Sequence, residues 1–276
     1  MIARFQQQQN KRMALTIEAC KAQHIGDREE QQDRVGMVPH PLYKGAMLAV
    51  LADGMGGLSG GAMAAEQVIQ AARQNFDRFG PGANAQEMLS AAINDSHDSI
   101  RLTALSAEKD PHSTACVFVL TPGRAEWAHC GDSRIYQFRN GEMIARSVDH
   151  SLVMRKMVIP GYLTEEQAES HPNKNLLVSC LGEEARPEID FGEAVPLQAG
   201  DCFLLCSDGI WAYFKNEELG QILAEMSPRQ AAEALLERAR ERAKGRGDNC
   251  SLAIIKLKEV ERQKKSTLGR MRKPGE

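Results

Sequence analysis

LAVLADGMGGLSGGAMAAE, residues 48–66, joins an apolar run to one acid and then to a burst of glycines. The run Met47–Ala52 has no polar alternation and reads as a strand buried on both faces. The stretch from Ala62 to Ile69 reads as a helix. Between them a strand end delivers Asp53 into a loop holding Gly54, Gly56, Gly57, Gly60 and Gly61. A strand end holds a ligating or catalytic group still. Glycine lets a backbone approach a neighbour closely or take φ > 0.

Outward from this stretch, residues 13–21 alternate like a half-buried strand, and two helices are expected at about 60–79 and 84–107. Strands follow at 113–120, 124–130, 133–139 and about 142–146, the last two joined by the hairpin signal Asn140-Gly141. Residues 151–180 read as mixed and partly helical. Strands at 188–194 and 201–207, helices at 216–225 and 228–244, and a strand at 249–257 complete the pattern. Strands, two helices, strands, two helices and a strand predict an α+β fold with antiparallel sheets rather than βαβ alternation. Residues 1–12, with a Gln run at 6–9, read as a disordered extension, and the basic stretch 259–276 as a tail. That tail is either a solvated segment or a docking segment for an acidic partner.

The 276 residues are 42% hydrophobic and 26% charged, enough for one large core or at most two domains. A net charge of -3 argues against general binding to nucleic acid or an anionic membrane. No apolar run approaches the roughly 20 residues that span a bilayer, and the polar start MIARFQQQQNKR has no secretory h-region. The seven cysteines form no CxxC pair and read as reduced, mostly buried thiols of a cytoplasmic protein.

Asp53 has counterparts. Asp208 follows the apolar run Phe203–Cys206 and precedes glycine, Asp248 lies in GRGDNCSLAIIKL, Asp132 in AHCGDSRIYQF, and Asp33 in GDREEQQDRVG. Each alone reads as a turn residue. If Asp33, Asp53, Asp208 and Asp248 converge, each pair repels by roughly 4 kcal/mol at about 4 Å and an effective ε of about 20. Too few lysines or arginines sit in these motifs to offset that. Two divalent cations would, and all-oxygen ligands select Mg²⁺ or Mn²⁺ over Zn²⁺. The seven histidines show no zinc spacing. Two hard metals sharing carboxylates suit phosphoryl hydrolysis.

ADGMGG (52–57), GDSR (131–134), DHSLV (149–153), CSDGIW (206–211) and GDNCSLAII (247–255) resemble the PPM family, the metal-dependent type 2C serine/threonine protein phosphatases in their short bacterial form. The match runs in order over about residues 13–258. The resemblance implies an αββα sandwich of two antiparallel sheets flanked by helix pairs. It implies that Asp53 bridges two Mn²⁺ or Mg²⁺ ions with help from the Gly54 carbonyl, that Asp208 and Asp248 hold one ion, and that Asp33 holds the other, largely through waters. Asp132 would join Asp208 at a third, weaker site, Arg28 would bind the substrate phosphate, and 151–180 would be the flap beside the active site. The catalytic group is then a metal-bound water held by Asp53 and Asp208, acting on phosphoserine and phosphothreonine proteins opposite a bacterial Ser/Thr kinase. The glycines after Asp53 would let the backbone curl against the metals.

Three positions depart from the family pattern. Gln31-Gln32 replaces Asn-Glu or Asn-Gln before Asp33, which alters hydrogen bonding to a metal water. Met55 stands where animal enzymes carry a histidine proposed as general acid, and His150 reads as structural rather than as its replacement. Ser179-Cys180 replaces Thr-Arg ahead of Leu181-Gly182. Two rival functions are a non-catalytic phosphoprotein-binding regulator and a phosphohydrolase acting on small molecules.

Overall fold

The computed structural model describes residues 15–57, 60–107 and 110–259. The two expected tails lie outside these residues, apart from Glu259. In chain order the elements are β1 (Leu15–His24), β2 (Arg34–Pro39), β3 (Met47–Ala52), β4 (Gly54–Met55), α1 (Gly60–Arg78), α2 (Ala85–Ala107), β5 (His112–Ser113), β6 (Ala115–Thr121), β7 (Arg124–Cys130), β8 (Arg134–Arg139) and β9 (Glu142–Arg146). A π-helical turn (Met154–Val158) and α3 (Glu165–Ala168) follow. Then come β10 (Asp190–Ala194), β11 (Asp201–Cys206), α4 (Asp208–Trp211), α5 (Asn216–Glu225), α6 (Pro228–Ala243) and β12 (Cys250–Glu259).

Two five-stranded antiparallel sheets form, ordered β1-β12-β11-β8-β9 and β10-β7-β6-β3-β2. Alternation along each central strand shows why both of its faces are apolar. In β3, Leu48, Val50 and Ala52 pack toward α1 and α2, while Met47, Ala49 and Leu51 pack into the layer between the sheets. In β11, Phe203 and Leu205 enter that middle layer, and Cys202, Leu204 and Cys206 face α5 and α6. Continuous apolar runs usually mark parallel sheets. Here helix pairs cover the outer face of each antiparallel sheet, and the order of layers is αββα, as the family resemblance implies.

Four elements were not expected. β2 (RVGMVP) holds a glycine and a proline and is an edge strand, where a missing N–H is tolerated. β4 and β5 are two-residue strands pairing Gly54 with Ser113 and Met55 with His112. α4 is a single turn opened by Ser207. All seven cysteines are free thiols, and all but Cys20 are buried.

Candidate metal centre

Asp53 leaves the end of β3 with its backbone held on both sides. Its N–H donates to Thr114 Oγ1 (3.0 Å), and its carbonyl accepts from Thr114 N (2.8 Å) and Ser113 Oγ (3.1 Å). Asp33 sits just ahead of β2, accepting from Ser207 Oγ at 2.7 Å. Asp208 opens α4 at the end of β11, Asp248 stands just before β12, and Asp132 follows β7. Adjacent central strands of the first sheet and the ends of β3 and β7 in the second thus bring these acids to one end of the sandwich.

The electrostatics record the convergence. Burial pushes the Asp53 carboxyl well above its ordinary range, and Asp33, Asp208, Asp132 and Asp248 push it further. Burial raises Asp33 to about 7 against the Ser207 and Ser251 hydroxyls, which lower it. Burial, with Asp208 and Asp149, lifts Asp132 to about 8. Asp208 rises to about 6 through burial and then Asp248, and its Oδ1 is buried with no hydrogen-bond partner. Carboxylates that raise one another, with an oxygen left unpaired, form an all-oxygen donor set that suits a hard divalent cation.

Arg28 donates from Nη2 to Asp248 Oδ2 at 2.5 Å and keeps its side chain 60% exposed. The Asp248 hydrogen bond, the Asp248 charge and the more distant Asp208 and Asp53 raise its pKa. The guanidinium thus lies beside the carboxylates with part of its fork turned to solvent.

The glycines have a reason that the sequence did not reveal. A Cβ on Gly54 would overlap the Gly61 carbonyl, and one on Gly61 would collide with Gly54. The start of α1 therefore packs backbone to backbone on β4. Gly56 and Gly57 have φ of 124° and 70°, open only to glycine at little cost. The Gln31-Gln32 departure also reads differently. Gln31 Oε1 accepts from Asp33 N (3.0 Å), and Gln32 Nε2 donates to the Gly57 carbonyl (2.9 Å) and to Glu30. These side chains brace the loop. Ser179 Oγ accepts from Glu188 N (2.8 Å), and Cys180 Sγ donates to Glu183 (3.6 Å).

Sequence reasoning passed over three supporting residues. Asn249 accepts from Gln32 N (2.7 Å) and donates to the Ile25 (2.8 Å) and Glu30 (3.0 Å) carbonyls, tying the β1–β2 loop to the start of β12 behind Asp33 and Asp248. Ser207 bridges Asp33 and the Ser251 N–H. Trp211 Nε1 donates to the Asp132 carbonyl at 3.0 Å. All three lie inside the quoted motifs, where the acids drew the reading.

His150, Met55 and the flap complete the surroundings. His150 is fully buried, and burial, His129 and Arg155 lower its pKa to about 4, so it is neutral at physiological pH. The charge of Lys174, in the 151–180 segment, lowers the Asp208 pKa against the larger effect of burial. Met55 pairs with His112 in the β4–β5 ribbon.

Over 204 residues the chain is 34% identical to the serine/threonine protein phosphatase PstP of Mycobacterium tuberculosis, covering 72% of this chain and 38% of that one. The chain thus spans well under half the length of this relative. A serine/threonine phosphatase structure from S. agalactiae superposes with a TM-score of 0.79 at 28% identity, covering 87% of this chain and 99% of that one. The catalytic domain of PstP in complex with two manganese ions superposes with a TM-score of 0.74 at 28% identity, covering 89% and 100%. A family profile described as protein phosphatase 2C matches residues 20–242, and the chain belongs to that family.

Proposed function

We propose that this chain is a metal-dependent serine/threonine protein phosphatase. The observation that carries the reading is the buried, partnerless Oδ1 of Asp208 inside a group of carboxylates that raise one another's pKa. Asp53 would bridge two Mn²⁺ or Mg²⁺ ions, with the Gly54 carbonyl, Asp208, Asp248 and Asp33 as further ligands and Asp132 at a third, weaker position. When bound, such ions polarise the phosphoryl oxygens and lower the pKa of water.

The chain's own residues would do the rest. Arg28 has a planar, permanently charged fork and enough exposure to bind a phosphate dianion near the carboxylates. Ser207 holds Asp33 by one oxygen and fixes how the other is presented. The ordered bonds on both sides of the Asp53 peptide keep its carboxylate from moving during turnover. The buried thiols are unsuited to act as nucleophiles, because burial pushes Cys250 to about 12 and Cys206 higher. The physiological setting proposed is the cytoplasm, opposite a bacterial Ser/Thr kinase; among the described residues no helix is long and apolar enough to cross a membrane.

The test is hydrolysis of a phosphothreonine peptide by purified protein with Mn²⁺ and with excess EDTA. Turnover that requires the metal and disappears in Asp53→Ala supports the reading. No turnover with any divalent metal, with phosphopeptide binding retained, would favour a regulator instead.

A further inference from the structure

A second polar cluster lies outside the carboxylate centre. His129 (β7), His150 (the loop after β9), Asp190 (β10) and Arg155 (the π-helical turn of the flap) meet in a largely buried space. Arg155 Nη2 donates to Asp190 Oδ2 at 2.5 Å, and His150 Nε2 lies 3.4 Å from the same oxygen. The His129 and His150 rings are 4.8 Å apart, and His129 Nε2 meets the Val148 carbonyl at 3.0 Å.

Two histidines and a carboxylate could suggest a metal site, but the local bonding argues against it. The Gly131 N–H points at His150 Nδ1 (3.4 Å), which puts the ring proton on Nε2, toward Asp190. The Arg155 guanidinium already holds the carboxylate, and a divalent ion would be added beside a half-buried cation.

The cluster has a mechanical consequence. Both ends of the flap are fastened at His150. The Val178 N–H donates to the His150 carbonyl (2.8 Å), and Leu152 N donates to Leu176 O (2.7 Å). The His150 N–H in turn donates to the Gly131 carbonyl (2.9 Å), one residue from Asp132. Among the described residues the flap is ion-paired to the second sheet by Arg155 and Asp190, and to β9 of the first sheet by Glu165 of α3 and Arg146 at 3.0 Å. Between these anchors the flap exposes Ile159, Tyr162 and Leu176 and holds Lys174, whose charge acts on Asp208.

We propose that Asp190 is a positioning residue: by holding Arg155 and facing His150 it fixes the flap against the second sheet, so that phosphoprotein substrates meet a preformed flap surface beside the carboxylates. The proposal rests on the phosphatase reading. It predicts that loosening this latch penalises a substrate that reaches the flap and spares one that does not.

The experiment uses the full chain with Mn²⁺ and compares wild type, Asp190→Asn, Asp190→Glu and the milder Arg155→Lys. Amide hydrogen exchange is followed over 152–178 and over β6 and β11, and KM and kcat are measured for a phosphothreonine peptide and an aryl phosphate. Asp190→Asn is expected to exchange faster over 152–178 with β6 and β11 unchanged. Its peptide KM should rise about fivefold, the scale of one half-buried ion pair, while kcat/KM for the aryl phosphate stays within about twofold. Asp190→Glu should recover much of the peptide KM. If Asp190→Asn unfolds, Arg155→Lys, which keeps the charge but loses the fork, should show the same split in smaller measure. Unchanged exchange over the flap, or equal losses for both substrates, would overturn the latch. If wild type hydrolyses neither substrate, the phosphatase reading fails, while the exchange result still decides whether Asp190 holds the flap.

Discussion

Arg134 grips Asp149 through two parallel bonds, Nε to Oδ1 at 2.8 Å and Nη2 to Oδ2 at 2.7 Å. The same guanidinium donates to the Tyr136 hydroxyl (3.1 Å) and stacks 3.7 Å from the Trp211 ring centroid. Trp211 then holds the Asp132 carbonyl. The segments GDSR, DHSLV and CSDGIW, far apart in the chain, are thus one interlocked unit. Arg134, Asp149 and Trp211 build the wall on which Asp132 stands.

Arg134→Lys should therefore destabilise the fold. Lysine keeps the charge but loses the fork and the stacking, and it leaves Asp149 poorly paired in a buried site. The expected loss is about 2–4 kcal/mol, read as a lower urea midpoint with an unchanged slope. Mn²⁺ stoichiometry by titration calorimetry should stay at the wild-type value, because no proposed ligand is removed. A wild-type midpoint would show that the interlock carries no stability.

Asn249 offers a sharper test of the supporting shell. Its amide makes three hydrogen bonds to main-chain groups of Ile25, Glu30 and Gln32. Asn249→Ala removes all three and leaves two part-buried carbonyls and an N–H without this partner, at up to roughly 1 kcal/mol each. Thermal denaturation should show the loss. Mn²⁺ should bind more weakly as well, since the 25–33 segment that presents Asp33 keeps its ties at Asp27 and Arg28 but loses the one at Asn249. A variant that loses stability with metal affinity intact would separate the two functions of this side chain.

The sequence made the sandwich legible because its central strands are apolar on both faces and its helices carry clean periodicity, as in Val68, Ala72 and Phe76 of α1. The acids were legible because strand ends in Asp-Gly recur. β2 was not, because Gly36 and Pro39 imitate a loop and an edge strand needs little of the usual pattern. The reason for Gly54 and Gly61 was also hidden. Their mutual contact joins β4 to the start of α1 across a loop, and a one-dimensional pattern does not show which backbones touch. The Arg155–Asp190–His150 group was unreadable for the same reason: its members come from separate segments with no shared spacing.

The raised carboxylates set a pH dependence for metal-free protein. Asp208, Asp33 and Asp132 titrate at about 6, 7 and 8 in the folded chain, against about 3.9 for an unfolded aspartate. A raised carboxyl contributes stability at low pH that is lost as pH rises through its folded pKa, because the folded state holds the extra proton. Metal-free protein should therefore lose about 1–3 kcal/mol between about pH 6.5 and pH 8. His129 and His150, whose pKa values burial lowers, act in the opposite direction, but only below about pH 6.5, where the unfolded chain takes up their protons. Melting curves in EDTA across this window read the slope directly. Saturating Mn²⁺ should flatten or reverse it, since metal competes with those protons. A metal-free protein that grows more stable toward pH 8 would mean that burial and neighbouring charge do not raise these acids.

Asp208→Asn brings the electrostatic and catalytic arguments together. In the metal-free chain the ionised carboxylate is buried beside Asp248 with Oδ1 unpartnered. The amide is close in shape and removes that charge. Metal-free Asp208→Asn should thus be more stable than wild type at pH 8, by about 1–3 kcal/mol from the size of the shift. Mn²⁺ should bind more weakly and raise its melting temperature less than it does for wild type. Turnover of the phosphothreonine peptide should fall at least about 100-fold, the scale already lost when only an outer partner of a metal ligand is removed. The three readouts are independent. A stabilised metal-free variant with weak Mn²⁺ binding and no turnover would make Asp208 a ligand whose charge strains the empty centre. Near-full activity would remove Asp208 from the metal assignment, even if the stability gain were observed.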